Sequence, residues 1–352
     1  MHVGILTGGG DCPGLNAVIR AVTLALINEC GARVTGIRRG FLGLIERDVQ
    51  ALDRAAVAGI LAQGGTILAT HNKCDPFHYF GAGGADVSAR AMAFVRELGL
   101  DALVAIGGDG TMTIAHRFEA LGLPVVGVPK TIDNDLQHTD RTFGFDSAVA
   151  VVAEALDRLE TTARSHGRVM VLETMGRYAG WIALEGGMAG GADVILLPEL
   201  PYQLEAVADV CRAREVQGLC TLVCIAEGAK AEGGELVVAQ TLADSPDPLR
   251  LGGVGAVLAH QLQPLVQSEV RATLLGHVQR GGSPTPFDRV LATRFGYAAA
   301  QLVERRQWGR MVTLAGSDIA SVPLEAVAGR NRPVPADHPL LAAARGLGVS
   351  LG

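Results

Sequence analysis

Apolar runs of five or six residues alternate, along most of this chain, with longer stretches in which apolar positions recur at helical spacing. The pattern predicts a strand at His2–Thr7, a helix at Leu15–Cys30 and a strand at Arg33–Arg38. A loop at Gly40–Leu44 and helices near Ala55–Gln63 and Val87–Leu98 follow. Then come a strand at Ala102–Ile106, a helix near Thr113–Leu121, a strand at Pro124–Val128 and a long helix near Ser147–Ser165. Further strands are expected at Arg168–Glu173, Asp193–Leu197 and Leu219–Ala226, with helices between them. Strands that are apolar throughout, each followed by a helix, predict an α/β fold of mainly parallel sheets covered on both faces, with ligands at the carboxyl ends of the strands. The least regular stretch is Gly228 to Gly255, in which Ala231–Gly234 and Asp244–Asp247 read as exposed loop. From Gly309 onward the elements shorten and four prolines appear, as expected of a tail that packs back on the body.

Composition narrows the class. A chain of 352 residues with 49% apolar and 19% charged residues suits two folded domains and excludes a disordered one. Its 46 glycines stand well above the average share of about 7%, and they gather at predicted strand ends, as tight ligand loops require. The net charge of -6 argues against a nucleic-acid partner, and the arginines are dispersed, so an anionic ligand must meet a local pocket. Six cysteines lack metal spacing and read as reduced thiols of a cytoplasmic protein. The N-terminus opens directly on strand residues, so neither a signal peptide nor a membrane span is expected.

Chemistry concentrates at three strand ends. Ile106-Gly107-Gly108-Asp109-Gly110-Thr111 runs from an apolar strand into a glycine turn with one carboxylate. About twenty residues on, Pro129-Lys130-Thr131-Ile132-Asp133-Asn134-Asp135 ends another strand in acids and an amide around a threonine. Parallel neighbours would set both carboxylates at one sheet edge. Glycine lets backbone N–H groups approach phosphate oxygens, one Asp can hold Mg²⁺ and another can take a proton, so the pair points to phosphoryl transfer. The opening Leu6–Asn16 stretch, with Gly8, Gly9 and Gly10, fits either a phosphate at a helix N-terminus or a structural strand-to-helix turn. It matches neither the dinucleotide fingerprint nor a P-loop.

Five segments together resemble the 6-phosphofructokinase family. They are Thr7–Asn16, Gly107–Thr111, Thr131–Asp135, Met175-Gly176-Arg177 and Gly276–Gly282, and they fall in the family's order across nearly the whole chain. The resemblance implies two lobes with the active site in the cleft between them. Residues 1–144 plus 279–329 would form the donor lobe, and 145–278 plus 330–352 the sugar-phosphate lobe. It implies transfer of the terminal phosphoryl of ATP to O1 of fructose 6-phosphate, with Mg²⁺ bridging donor oxygens at Asp109. Gly9, Gly108, Gly110 and Thr111 would join Asp109 in donor binding, and Asp133 would act as base with Thr131 and Arg177 beside it. Thr131, Ile132, Met175, Gly176, Arg177, Glu227, His277 and Arg280 match the sugar-phosphate pocket. Arg168 and Arg271 match arginines that reach a neighbouring subunit's site, implying a homodimer or homotetramer.

The departures from the family pattern are specific. After Gly64-Gly65-Thr66 the expected arginine is replaced by Asn72 and Lys73, of which Lys73 offers a point charge in place of a planar fork. The stretch Val216–Cys220 before Glu227 lacks the basic residues of allosteric relatives, and Leu24 stands where the first helix usually carries a second arginine, so the phosphate effector site looks dismantled. Lys130 and the long tail resemble the mixed-substrate branch. Pyrophosphate users carry Asp where this chain has Gly110, and they share Lys130, so Gly110 and Lys130 are opposed cues to the donor. Because Gly110 leaves room for the α-phosphate, ATP is the expected donor. The rivals are a pyrophosphate-dependent phosphotransferase, a nicotinamide-nucleotide or lipid kinase sharing Gly-Gly-Asp-Gly-Thr, and an inactive regulatory subunit.

Overall fold

The computed structural model describes residues 1–241 and 249–352. Its strands are β1 (His2–Thr7), β2 (Arg33–Ile37), β3 (Val49–Leu52), β4 (Ala102–Gly107), β5 (Val125–Pro129), β6 (Val169–Thr174), β7 (Val194–Leu196), β8 (Thr221–Ala226), β9 (Val238–Thr241), β10 (Leu249–Leu251), β11 (Val270–Leu274), β12 (Arg310–Ala315) and β13 (Asp318–Pro323). Its helices are α1 (Leu15–Cys30), α2 (Phe41–Glu46), α3 (Ser88–Leu98), α4 (Asp109–Ala120), α5 (Phe145–His166), α6 (Trp181–Ala189), α7 (Leu204–Val216), α8 (Val254–Leu262), α9 (Pro286–Glu304) and α10 (Pro339–Gly346). Among the described residues, one sheet runs β13-β12-β5-β4-β1-β2-β3 and a second runs β11-β6-β8-β7. The second sheet is wholly parallel, and the first is antiparallel only at its outer strands β3 and β13. Every residue of β1, β4, β5, β6 and β8 is buried, which is why these strands read as unbroken apolar runs.

One apolar cluster links the sheets. It joins Ile5 and Val104 of the first sheet to Leu172 and Cys224 of the second through Phe145, Val152 and Ile182 on α5 and α6. Helix α9 lies along α1, with Gly296 so close to the backbone of α1 that a Cβ there would sit 2.9 Å from Val18 O. The chain after β13 returns over the molecule. Asn331 bridges to Leu136, α10 packs on α6, and Ser350 bridges to β7. Among the described residues no helix is long and apolar enough to cross a membrane.

Two sequence expectations fail between Gly40 and Gln63. The helix expected near Ala55–Gln63 is a series of turns. Asp53 Oδ1 accepts from Ala56 N–H at 2.8 Å, and Gly59 at φ +73° stops the turn before it can propagate. Conversely, the loop expected at Gly40–Leu44 carries α2, because a short helix buries Phe41, Leu42, Leu44 and Ile45 together. Ala231–Gly234 is a turn exposed over most of its length, as expected. Asp244–Asp247 lies outside the described residues.

Candidate active site

The strand register fixes the cradle. Thr7 pairs with Ile106 and Gly107 with Pro129, so the loops after β1, β4 and β5 emerge side by side. Gly8 N–H donates to Ile106 O at 2.9 Å, and Lys130 N–H to Gly107 O at 2.9 Å. The first two of these loops leave the sheet between β1 and β4, where the winding direction reverses, the usual ligand crevice of an open α/β sheet. Helix α4 starts there with Asp109 in its first turn, so its free N–H groups face the crevice. Thr111 is buried against Gly8, where a Cβ would meet its Oγ1 at 2.5 Å, so Thr111 shapes the cradle from beneath. Gly110 is different. Its φ is ordinary and nothing lies within 4 Å of an added Cβ, so neither backbone nor packing demands a glycine.

Positive charge faces this cradle. Lys130 Nζ donates to Gly10 O, and burial lowers the pKa of its ammonium. The Arg280 guanidinium lies directly over Gly10, filling the space a side chain would occupy, and its Nε is buried without a partner. Thr70 Oγ1 donates to Gly9 O at 2.5 Å, which brings the loop carrying Asn72 and Lys73 to the same side. Asn72 is exposed and Lys73 half-buried.

The turn after β5 holds the acids. Asp133 is buried, its N–H donates to Thr131 Oγ1 at 3.0 Å, and its Oδ1 has no hydrogen-bond partner. Asn134 sits at φ +53°, with Oδ1 accepting from Thr142 N–H at 3.0 Å. Burial, followed by the charge of Asp133 beside it, pushes the Asp135 carboxyl up to about 7, and Asp109 adds to the effect. Asp109 Oδ1 accepts from Gly329 N–H at 2.8 Å.

The second sheet supplies the opposite wall. Thr174 pairs with Ala226, so Met175-Gly176-Arg177 and Glu227 leave the sheet together. Glu227 Oε1 accepts from Arg177 N–H at 2.9 Å, and burial pushes the Glu227 carboxyl up to about 7, with Asp133 adding to the rise. Asp133 is thus near enough to Glu227 to act on its charge. Gln279, fully buried, accepts from Met175 N–H at 3.3 Å and donates to Gly276 O at 3.1 Å, tying the 175–177 loop to the 3₁₀ turn that carries His277 and Arg280. His277 itself is exposed.

Two predicted residues lie elsewhere. Arg168 precedes β6 and Arg271 is the second residue of β11, so both sit at the amino ends of these strands. Six strand residues separate Arg168 from Met175, a span of about 20 Å. Both arginines pair instead with Glu269, Arg168 Nε at 2.5 Å from its Oε2. The structure does not bring them into this chain's own cleft.

Asp133 and Asp109 both act on Asp135, yet no group of three His, Cys, Asp or Glu side chains among the described residues closes round a metal. One or two carboxylates beside a phosphate cradle suit a hard divalent cation that takes its remaining ligands from phosphate and water. All six cysteines are free. Sequence reasoning missed Gln279 and Arg332. Gln279 lay inside a recognised motif but carries no charge, and Arg332 lies in the tail.

A glycine cradle under Lys130 and Arg280, with carboxylates beside it and on the facing wall, between two mainly parallel sheets, defines a phosphoryl-transfer enzyme. The sequence profile of the family described as Phosphofructokinase matches residues 2–303. A protein of Clostridium perfringens named ATP-dependent 6-phosphofructokinase 2 is 49% identical over 99% of this chain and 97% of its own length. One of Chloroflexus aurantiacus, named ATP-dependent 6-phosphofructokinase, is 50% identical over 100% of this chain and 98% of its own. One of Streptomyces coelicolor, named pyrophosphate–fructose 6-phosphate 1-phosphotransferase, is 48% identical over 95% of this chain and 96% of its own. The solved structure of Pichia pastoris phosphofructokinase in the T-state superposes with a TM-score of 0.80 at 31% identity, over 99% of this chain and 36% of that longer one. The chain belongs to the phosphofructokinase family.

Proposed function

We propose that this chain transfers the terminal phosphoryl group of ATP to O1 of fructose 6-phosphate, giving fructose 1,6-bisphosphate and ADP. The observation that carries the reading is Asp133, a buried carboxylate with an unpartnered oxygen in the cleft between the phosphate cradle and the Glu227 wall. Asp133 takes the proton of the 1-hydroxyl as that oxygen bonds to the γ-phosphorus and the bond to the β–γ bridging oxygen breaks. Thr131 holds the turn through its bond to Asp133 N–H. The N-terminus of α4, the Gly8–Gly10 loop and Lys130 bind the donor phosphates, with Asn72 and Lys73 at the nucleotide side. Arg177 offsets charge on the transferring group, and Ile132, Met175, Gly176, Glu227, His277 and Arg280 position the sugar phosphate. Asp109 would hold a divalent metal, Mg²⁺ in this reading, which would supply charge neutralisation beside the donor phosphates. Residues 1–144 with 279–329 act as donor lobe, and 145–278 with 330–352 as acceptor lobe.

Gly110 favours ATP, since a glycine that the fold does not require leaves open space beside the phosphate-binding helix end. Pyrophosphate is the second reading, favoured by Lys130 over the cradle and by the Streptomyces relative. Arg168 and Arg271 complete a second copy's site, and the exposed apolar side chains of Leu274, at the far end of β11, and Val278, in the turn after it, suit an interface with that copy. An aldolase-coupled assay with fructose 6-phosphate and Mg-ATP or Mg-pyrophosphate tests the reading. A higher kcat/KM for ATP is expected, and a clear pyrophosphate preference overturns the donor assignment.

A further inference from the structure

The last part of the chain contributes directly to the base turn. Arg332 lies outside the matched stretch, about two hundred positions from Asp133. Its side chain nevertheless donates from Nε and Nη2 to Asn134 O at 3.2 and 2.9 Å, and from Nη2 to Asp140 O at 3.1 Å. Its backbone N–H donates to Asp135 O at 2.7 Å. The two residues that follow Asp133 are therefore both held by one arginine. Arg332 is itself fixed, with its guanidinium over the Trp181 ring at 4.5 Å and its carbonyl accepting from Trp181 Nε1 at 2.9 Å. Two neighbours in the same strap are anchored as well. Gly329 N–H donates to Asp109, and Val334 N–H to Glu199 Oε1 at 2.8 Å.

We infer that Arg332 is a positioning residue for the Asp133 base, acting through the backbone of Asn134 and Asp135. The reasoning turns on what aims the carboxylate. Asp133 Oδ1 has no hydrogen-bond partner, so the backbone must set its direction. The following residue, Asn134, holds a left-handed conformation at φ +53°. Asparagine enters this conformation more readily than most non-glycine residues, and contacts from the surroundings fix which way the turn then runs. Thr142 grips the Asn134 side chain, and the planar fork of Arg332 grips its carbonyl and that of Asp140. A lysine cannot span both carbonyls with fixed geometry. Without the fork the turn can rotate, and the base loses its line to the acceptor hydroxyl while the phosphate cradle and sugar wall stay intact.

The inference rests on the kinase reading, and the experiment separates the two. Wild type, Arg332→Ala and Arg332→Lys are purified as full chains, checked by thermal melting, and assayed with saturating Mg-ATP and fructose 6-phosphate. A wild type without activity on the sugar phosphate fails the kinase reading itself. With an active wild type, Arg332→Ala is expected to lose about 10- to 100-fold in kcat with both KM values nearly unchanged. Added guanidinium ion should restore part of that kcat and leave wild type unaffected, which a merely structural role does not predict. A folded Arg332→Ala with more than a third of wild-type kcat overturns the inference, as does a loss confined to KM. If Arg332→Ala does not fold, Arg332→Lys decides: a kcat well below wild type supports positioning, and an equal one overturns it.

Discussion

At the scale of single residues, the site separates groups that do chemistry from groups that make room for it. In the proposed mechanism Asp133 belongs to the first kind. Asp133→Asn keeps the shape of the turn and removes the base, so kcat should fall by about two to four orders of magnitude with little change in KM. Retention of more than a third of wild-type kcat would refute the role. Gly110 belongs to the second kind. An Asp at this second helical position suits the positive helix end, so Gly110→Asp should fold well while its charge repels the donor, lowering kcat/KM for Mg-ATP by about a hundredfold. Gly110→Ala meets no atom within 4 Å and serves as the size control. Equal ATP use by Gly110→Asp and wild type would show that this position does not select the donor. Glu227, raised to about 7 chiefly by burial, gives a pH signature. As pH climbs from 6 to 8 it ionises and accepts from sugar hydroxyls, so kcat/KM for fructose 6-phosphate should rise, and Glu227→Gln should flatten that rise. The sign for stability is opposite. A carboxyl raised from 4.5 to about 7 on folding costs the native state stability as pH rises through that window, so Glu227→Gln should melt higher than wild type at pH 8 relative to pH 5. A wild-type Tm unaffected relative to the variant across this range would contradict the assignment.

At the scale of elements, the sequence is most readable where a strand is buried on both faces. β1 and α1 fall where the pattern predicts them, and β4, β5, β6 and β8 agree to within one or two residues. It is least readable where partners lie far off. β11 alternates too little to announce itself, since only Val270 is buried, and it exists because β6 offers an open edge. β12 reads as part of an irregular tail until β5 pairs with it. The candidate site follows the same division. Gly9, Asp109, Asp133 and Arg177 lie in contiguous motifs, whereas Arg332 bears on the turn only through a contact across the molecule. The weakened effector region is an element-level prediction. Helices α5 and α7 carry Arg164 and Arg214 into a pocket of about 500 Å³ ending at Cys220, together with Glu160 and Asp193. Arg164 pairs with Glu160 at 2.6 Å and Arg214 with Asp193 at 2.9 Å, so neither cation is uncommitted. ADP and phosphoenolpyruvate should therefore move the fructose 6-phosphate half-saturation point by less than about twofold. A several-fold shift in a titration with either compound would reject this.

At the scale of the whole molecule, the arginines at the wrong end of the second sheet are the telling feature. Arg168 and Arg271 share Glu269 at the amino ends of β6 and β11, away from the cleft that Asp133 and Glu227 line. In the proposed reading they serve the site of a second copy. This makes a complementation experiment decisive. Asp133→Asn and Arg168→Ala should each be nearly inactive alone, the first for want of a base and the second for want of a cation from its neighbour. Refolded together, they form hybrids in which one cleft has an intact Asp133 and receives Arg168 from the other subunit. Random pairing of equal amounts into isologous dimers should regenerate about a quarter of the wild-type sites. Activity of the mixture near that level, with KM for fructose 6-phosphate as in wild type, is the expected outcome. A mixture no more active than the mean of its two components would place Arg168 outside the neighbour's site and leave its pairing with Glu269 as a structural contact of this chain alone.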